Sequence, residues 1–332
     1  LYLLNGEDGS VITQLTKGEW IVRGVEKVDE ARREVLIKVG GYYDDQDPYW
    51  IHWARLGLGG GELARGELVL LTEEAGTHKL QWSPDREYYL ASWSRVDQPP
   101  VHELRRARDG KLITVLEKAD ASELFEAGWV TPERFVSKDR NDKFDIYGII
   151  HRPPGFDPEK SYAVVEKIYA GPHGSFVPKG WRTWYGGGAE MAAAGFIVVQ
   201  IDGLGTSNRC REFHHFCYRN LMDSGFPDRI KWMQAAAEKV PQMDLDRVGI
   251  YGGSAGGQST LAALLNHGDF YKAGAADCGC HDNRMDKIWW NEQWMDWPIG
   301  PHYAENSNVT HAHKLQGNLL LTVGEVDTNV DP

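Results

Sequence analysis

Cysteine is scarce. The four in 332 residues, Cys210, Cys217, Cys278 and Cys280, are too few for a disulfide-built scaffold. Cys278-Gly279-Cys280 has the look of half a metal site, but no second Cys/His pair stands at finger spacing, so neither a metal nor an organic cofactor is implied. Long apolar runs are also missing: the longest, such as Phe196 to Ile201, have strand length, against the roughly 18 residues of a spanning helix. No membrane segment is expected within the chain. An excess of basic residues is lacking as well, because 36 Lys+Arg stand against 48 Asp+Glu for a net charge of −12, which removes the electrostatic footprint of a nucleic-acid partner. There is no opening Met, and no basic segment leads into an apolar stretch at Leu1-Tyr2-Leu3-Leu4, so no signal peptide is visible. An N-terminus that begins inside a strand reads as a fragment, and the compartment stays open.

What is present is a globular composition, 42% hydrophobic and 25% charged, with 13 Trp pointing to aromatic-rich β structure or a substrate cleft. A length of 332 residues favours two domains. One pattern recurs in the first 120 residues: an alternating strand, a Gly-rich turn and a second strand. Its copies are Leu1 to Thr16 around Asp8-Gly9, Trp50 to Thr72 around Gly59-Gly60-Gly61, and Val101 to Glu117 around Asp109-Gly110. Alternation broken by Asp-Gly or Gly-Gly is a hairpin signal, and its repetition at about 50 residues suggests propeller blades. His78 to Asp85 and Tyr88 to Ser94, joined by a Ser83-Pro84-Asp85 turn, read as inner strands of one blade. An ordinary β-sandwich would give a similar texture. Two blades and part of a third cannot close a ring, which again reads as a fragment.

Near Trp129 the texture changes, and from Tyr162 onward short apolar strands alternate with helical segments, the pattern of a parallel sheet with helices on both faces. We therefore expect the last part of a β-propeller at residues 1–128 and an α/β-hydrolase domain at 129–332. Gly252-Gly253-Ser254-Ala255-Gly256 falls between an expected strand, Val248 to Tyr251, and a helix carrying Leu261, Leu264 and Leu265 on one face. That is where a Gly-x-Ser-x-Gly nucleophile elbow must lie, since a tight strand-to-helix turn needs small neighbours and lifts the serine hydroxyl above the sheet. Ser254 is the candidate nucleophile; a Gly-rich turn without chemistry is the plain alternative. Hydrolases of this fold place the acid after the serine, and Asp327 stands in the loop that follows the expected strand Leu319 to Val323. A loop Asp that caps the next helix would look the same.

Four motifs then stand in order: Tyr-Ala-Gly-Pro at 169–172, Asp-Gly-x-Gly-Thr at 202–206, Gly-Gly-Ser-Ala-Gly-Gly at 252–257 and Gly-x-x-Asp-x-x-Val at 324–330. Together they make the chain resemble a C-terminal fragment of a prolyl oligopeptidase family serine peptidase, most closely of the dipeptidyl peptidase IV-like branch. The resemblance implies a propeller ahead of a hydrolase domain, and cleavage of peptides near their N-terminus through an acyl-enzyme on Ser254. Asp327 would orient the catalytic histidine. Tyr169 would share the oxyanion with the backbone N–H of Ala255. Asn329 would hold the substrate backbone, and Val330 and Trp290 would line the S1 pocket. Tyr169 as a core aromatic and Trp290 as lid packing remain the plain alternatives. Asn283 and Asp286 stand where the family has aromatic pocket walls, which puts strict proline preference in doubt. The resemblance also favours a periplasmic or secreted protein and allows a homodimer. An acylaminoacyl peptidase or esterase would use the same machinery, and an inactive propeller-hydrolase binding protein would keep the fold alone.

The general base is what the sequence withholds. All 12 histidines precede Asp327, and only Thr328 to Pro332 follow it. His281, His311 and His313 would break the chain order of the triad and read as surface or satisfied core residues. The expectation is a base beyond Pro332 and a chain that is inactive by itself.

Overall fold

Glycines at φ 72° and 74° make the Asp8-Gly9 and Asp109-Gly110 reversals, a region that a Cβ disfavours. In the computed structural model, which describes residues 1–330 and 332, the first such turn joins β1 (Tyr2–Leu4) to β2 (Val11–Gln14) as an antiparallel pair. β3 (Ile21–Asp29), β4 (Glu34–Gly40), β5 (His52–Gly57) and β6 (Leu68–Leu70) follow as a four-stranded antiparallel meander. A second four-stranded meander contains β7 (Thr77–Trp82), β8 (Tyr88–Arg95), β9 (Gln98–Arg106) and β10 (Leu112–Lys118). Each recurring sequence copy thus supplies the last two strands of a sheet. Ser83 Oγ donates to Asp85 Oδ1 at 2.6 Å and fixes the β7–β8 turn. The inner strands are apolar and buried, with Ile37, Val39, Ala54 and Leu56 packed between β4 and β5, whereas β10 is exposed along its length. These strands lie in a unit made of Leu1–Glu123 with Lys179–Arg182 and Asn208–Cys210.

The second unit takes Leu124–Pro178, Thr183–Ser207 and Arg211–Pro332. A short helix, α1 (Ser122–Glu126), precedes β11 (Glu133–Lys138), β12 (Asp145–His151) and β13 (Tyr162–Lys167). Next come α2 (Gly188–Ala193), β14 (Ile197–Asp202), α3 (Arg211–His215), α4 (Phe226–Lys239), β15 (Met243–Gly253) and α5 (Ala255–Asn266). β16 (Tyr271–Asp277), α6 (Ile288–Met295) and β17 (Asn318–Thr322) complete the site-bearing elements. The sheet has seven strands in the order β11-β12-β14-β13-β15-β16-β17. β11 and β12 run antiparallel at one end, and every pairing from β14 to β17 is parallel. The middle strands carry short buried apolar stretches, Val164-Val165 on β13, Ile197 to Val199 on β14 and Val248 with Ile250 on β15, as expected of a sheet interior covered by helices. α4 packs its buried Phe226, Trp232, Met233 and Ala236 onto the sheet, and α5 does so with Ala262, Ala263 and Leu264. A Cβ at Gly148 on β12 would stand 2.5 Å from the Trp232 ring, so the glycine is what lets α4 seat.

The second unit also holds a buried ionic knot. Glu166, at the end of β13, receives Arg229 Nη1 at 2.7 Å and the Tyr271 hydroxyl at 2.7 Å. All three side chains are essentially out of contact with solvent. Arg229 also donates to the carbonyls of Ile201 and Ser224, so it ties β13, β14 and α4 together.

Candidate active site

β15 ends at Gly253 and α5 begins at Ala255, which leaves Ser254 alone in the turn. Its backbone has φ 58° and ψ −122°, a conformation that costs a non-glycine residue about 1–3 kcal/mol and persists only where the surroundings enforce it. Here they do. Ser254 N donates to the Asp277 carbonyl at 2.9 Å, and its own carbonyl accepts from Gln258 N at 3.0 Å. A Cβ at Gly252 or Gly256 would meet the Ile168 carbonyl oxygen at 2.4 or 2.3 Å, so β13, β15 and α5 can approach this closely only through glycine. The N–H of Ala255, in the first turn of α5, lacks an intrahelical acceptor and points where negative charge is stabilised.

The loop after β13 brings Tyr169 and His173 to the same place. Asp202, buried at the end of β14, accepts from the backbone N–H of Phe176 and Val177 at 2.9–3.0 Å and so anchors that loop. Tyr169 packs on Phe176 with ring centroids 4.5 Å apart, and His173 stands edge-on to Trp290 at 5.1 Å. Burial lowers the His173 pKa, which favours its neutral form.

Ser254, Ala255, Tyr169, Trp290, Asn329 and Val330 all line one cavity of about 300 Å³. Asp327 is not part of that lining. Its Oδ1 accepts from the N–H groups of Val330 and Asn329 at 3.0 and 2.8 Å, which fixes the two lining residues. Those amide bonds, with help from the Lys287 charge, hold the Asp327 carboxyl below its ordinary pKa. Asp286 reaches the cavity as well, while Asn283 is buried and accepts from Gln258 Nε2 at 2.9 Å. His281 lies 3.0 Å from the Asn308 side chain, and His311 Nε2 lies 2.8 Å from the Glu305 carbonyl.

Several lining residues escaped sequence reasoning, among them His173, Gln258, Cys280 and Lys287. His173 directly follows Tyr-Ala-Gly-Pro, the only sequence signal it carried. Cys280, whose spacing from Cys278 suggests a metal, is a half-buried free thiol whose pKa is pushed up to about 12 by desolvation and then by the charge of Asp286. It stays protonated at neutral pH and does not compete with the serine as nucleophile. Among the described residues no three His, Cys, Asp or Glu side chains cluster as metal ligands would.

Two family models match different parts of the chain. Residues 188–332 match the model of the prolyl oligopeptidase family, and residues 1–100 match that of the dipeptidyl peptidase IV (DPP IV) N-terminal region. Human dipeptidyl peptidase 8 is 27% identical over 332 residues, covering 95% of this chain and 36% of the human protein. A probable dipeptidyl-aminopeptidase B of Arthroderma benhamiae is 26% identical, covering 95% of this chain and 34% of its own length. The chain therefore spans about a third of these curated relatives. The crystal structure of Porphyromonas gingivalis dipeptidyl peptidase 4 superposes with a TM-score of 0.82 at 27% identity, over 99% of this chain and 45% of that one.

Proposed function

For a chain that belongs to the prolyl oligopeptidase family, in its dipeptidyl peptidase IV-like branch, we propose that the full-length protein removes dipeptides from peptide N-termini through an acyl-enzyme on Ser254. In this reading residues 1–128 are propeller blades and 129–332 the α/β-hydrolase domain. Ser254 Oγ attacks the scissile carbonyl, and the oxyanion that forms is met by the Tyr169 hydroxyl and the Ala255 N–H. Asp327 orients a histidine that accepts the Ser254 proton and returns it to the leaving amine. The chain order of such triads puts that histidine C-terminal to Asp327. Asn329 holds the substrate backbone, and Trp290 and Val330 wall the P1 side chain. Peptides are the substrates, and no cofactor takes part.

The observation that carries this reading is the strained Ser254 turn opening on the same cavity as Tyr169, Asn329 and Val330. An esterase or acylaminoacyl peptidase would share the nucleophile, so the test is a substrate panel. The full-length protein should cleave dipeptidyl p-nitroanilides with free N-termini faster than N-acetylated ones, and Ser254→Ala should abolish the cleavage without unfolding the protein. Faster turnover of N-acetylated amides or simple esters would move the assignment to those classes. A wild type as inert as Ser254→Ala would leave only a binding role.

A further inference from the structure

Lys287, immediately before α6, has the cavity wall on one side and the acid loop on the other. Its ammonium donates to Asp286 Oδ1 at 2.8 Å and to the backbone carbonyl of Asn329 at 2.6 Å. Its backbone N–H donates to the same Asp286 oxygen at 2.7 Å. The Asp286 side chain is only 6% exposed, that of Lys287 23%, and both residues line the cavity that holds Ser254. A nearly buried carboxylate needs a counter-charge, and the adjacent Lys287 provides it. Asn329 is in turn tied to Asp327, whose carboxylate holds the Asn329 and Val330 amides. One ammonium therefore joins the pocket wall to the loop bearing the triad acid.

We propose that Lys287 is a positioning and specificity-determining residue: it clamps the acid loop in register with Ser254, and it cancels the Asp286 charge so that the P1 pocket accepts uncharged side chains. Two consequences separate these roles from ordinary packing. Without the clamp the acid loop loses an anchor and alignment suffers for every substrate, since small misplacements of a catalytic group carry large rate penalties. Without the counter-ion the Asp286 carboxylate faces the pocket unpaired and becomes a partner for a basic P1 side chain. A merely structural lysine would produce the first effect and not the second.

The inference rests on the peptidase reading, so the assay uses the full-length enzyme with Ala-Pro, Ala-Ala and Ala-Lys p-nitroanilides. Lys287→Met, which keeps the stem and removes the charge, should lower kcat for all three by roughly tenfold or more. It should also raise kcat/KM for Ala-Lys relative to Ala-Ala by about tenfold. Lys287→Arg should restore both, and Lys287→Gln serves as a second variant should the Met variant not fold. Adding Asp286→Asn to Lys287→Met should return the P1 order to that of wild type while kcat remains low. An active wild type whose Lys287→Met and Lys287→Gln variants keep both kcat and P1 order overturns the inference alone. A low kcat with unchanged P1 order overturns the charge-cancelling role. If wild type is no more active than Ser254→Ala, the peptidase reading fails and takes this inference with it.

Discussion

Replacing Glu166 by Gln probes the buried ionic knot between β13, β14 and α4 without needing catalysis. In the native structure the Arg229 guanidinium is balanced by one carboxylate, which also accepts the Tyr271 hydroxyl. Arg229 Nη2 is buried with no acceptor among the described residues, so the cation has little to fall back on. Gln keeps the shape but removes the negative charge and leaves one oxygen where two were bonded. Breaking a fully buried pair by neutralising one partner costs about 3–5 kcal/mol, because the surviving charge stays desolvated. Tyr271→Phe removes only a hydrogen bond to a charged acceptor and should cost about 1.5–3 kcal/mol. For a unit of this size the Glu166→Gln loss corresponds to a fall of roughly 10 °C in Tm. Differential scanning calorimetry on the 332-residue chain reads both variants directly. A Glu166→Gln protein within about 1 kcal/mol of wild type would show that the knot is solvated or rearranged, and would refute the picture of an uncompensated buried cation.

Other expectations follow from the site and the core. Expressed alone, residues 1–332 should show no appreciable turnover of dipeptidyl amides; rapid hydrolysis that Ser254→Ala removes would put an upstream histidine in the triad, and His173, on the same cavity, would be the first to replace. In the full-length enzyme Tyr169→Phe should lower kcat by about 10²-fold with little change in Tm, and an unchanged kcat would return Tyr169 to a packing role. Trp290→Ala should weaken discrimination at P1 by about 1–3 kcal/mol, whereas Asn329→Ala should depress kcat/KM evenly across substrates; a destabilised Trp290→Ala with an intact P1 profile would make the indole lid packing. Burial, aided by the nearby His78, depresses the His52 pKa to about 3, and burial with the Lys167 charge depresses that of His151 to about 4. These rings are neutral in the fold but protonate near 6.5 once unfolded. Their stabilising contribution is complete above that pH and is lost as pH falls toward 3–4, so Tm should drop through this window and His52→Gln should flatten the profile.

The elbow was legible in sequence because its chemistry is local: Gly252, Ser254 and Gly256 sit within five residues of each other, between a strand and a helix that announce themselves by period. The Asp-Gly hairpins were legible for the same reason. The β3–β4 hairpin was not, since its turn carries no glycine: Arg33 takes φ 56° instead, and the sequence pattern gives no notice of it. Nor did the sequence reveal β11 and β12 as the antiparallel edge of the main sheet, because alternation marks a strand without saying which sheet it joins. His173, Gln258 and Lys287 reach the cavity from three separate segments, and no spacing rule connects them. The spacing of Cys278 and Cys280 suggests a metal, whereas partial burial beside Asp286 keeps the Cys280 thiol protonated.

The central claim is that Ser254 is an activated nucleophile. Treating the full-length protein with a fluorophosphonate and mapping the adduct by mass spectrometry tests it most directly. The account predicts one stoichiometric adduct on Ser254, lost in Ser254→Ala and blocked by a dipeptide product analogue. An unlabelled Ser254 in folded full-length protein, or labelling that is indifferent to the substitution, would contradict it.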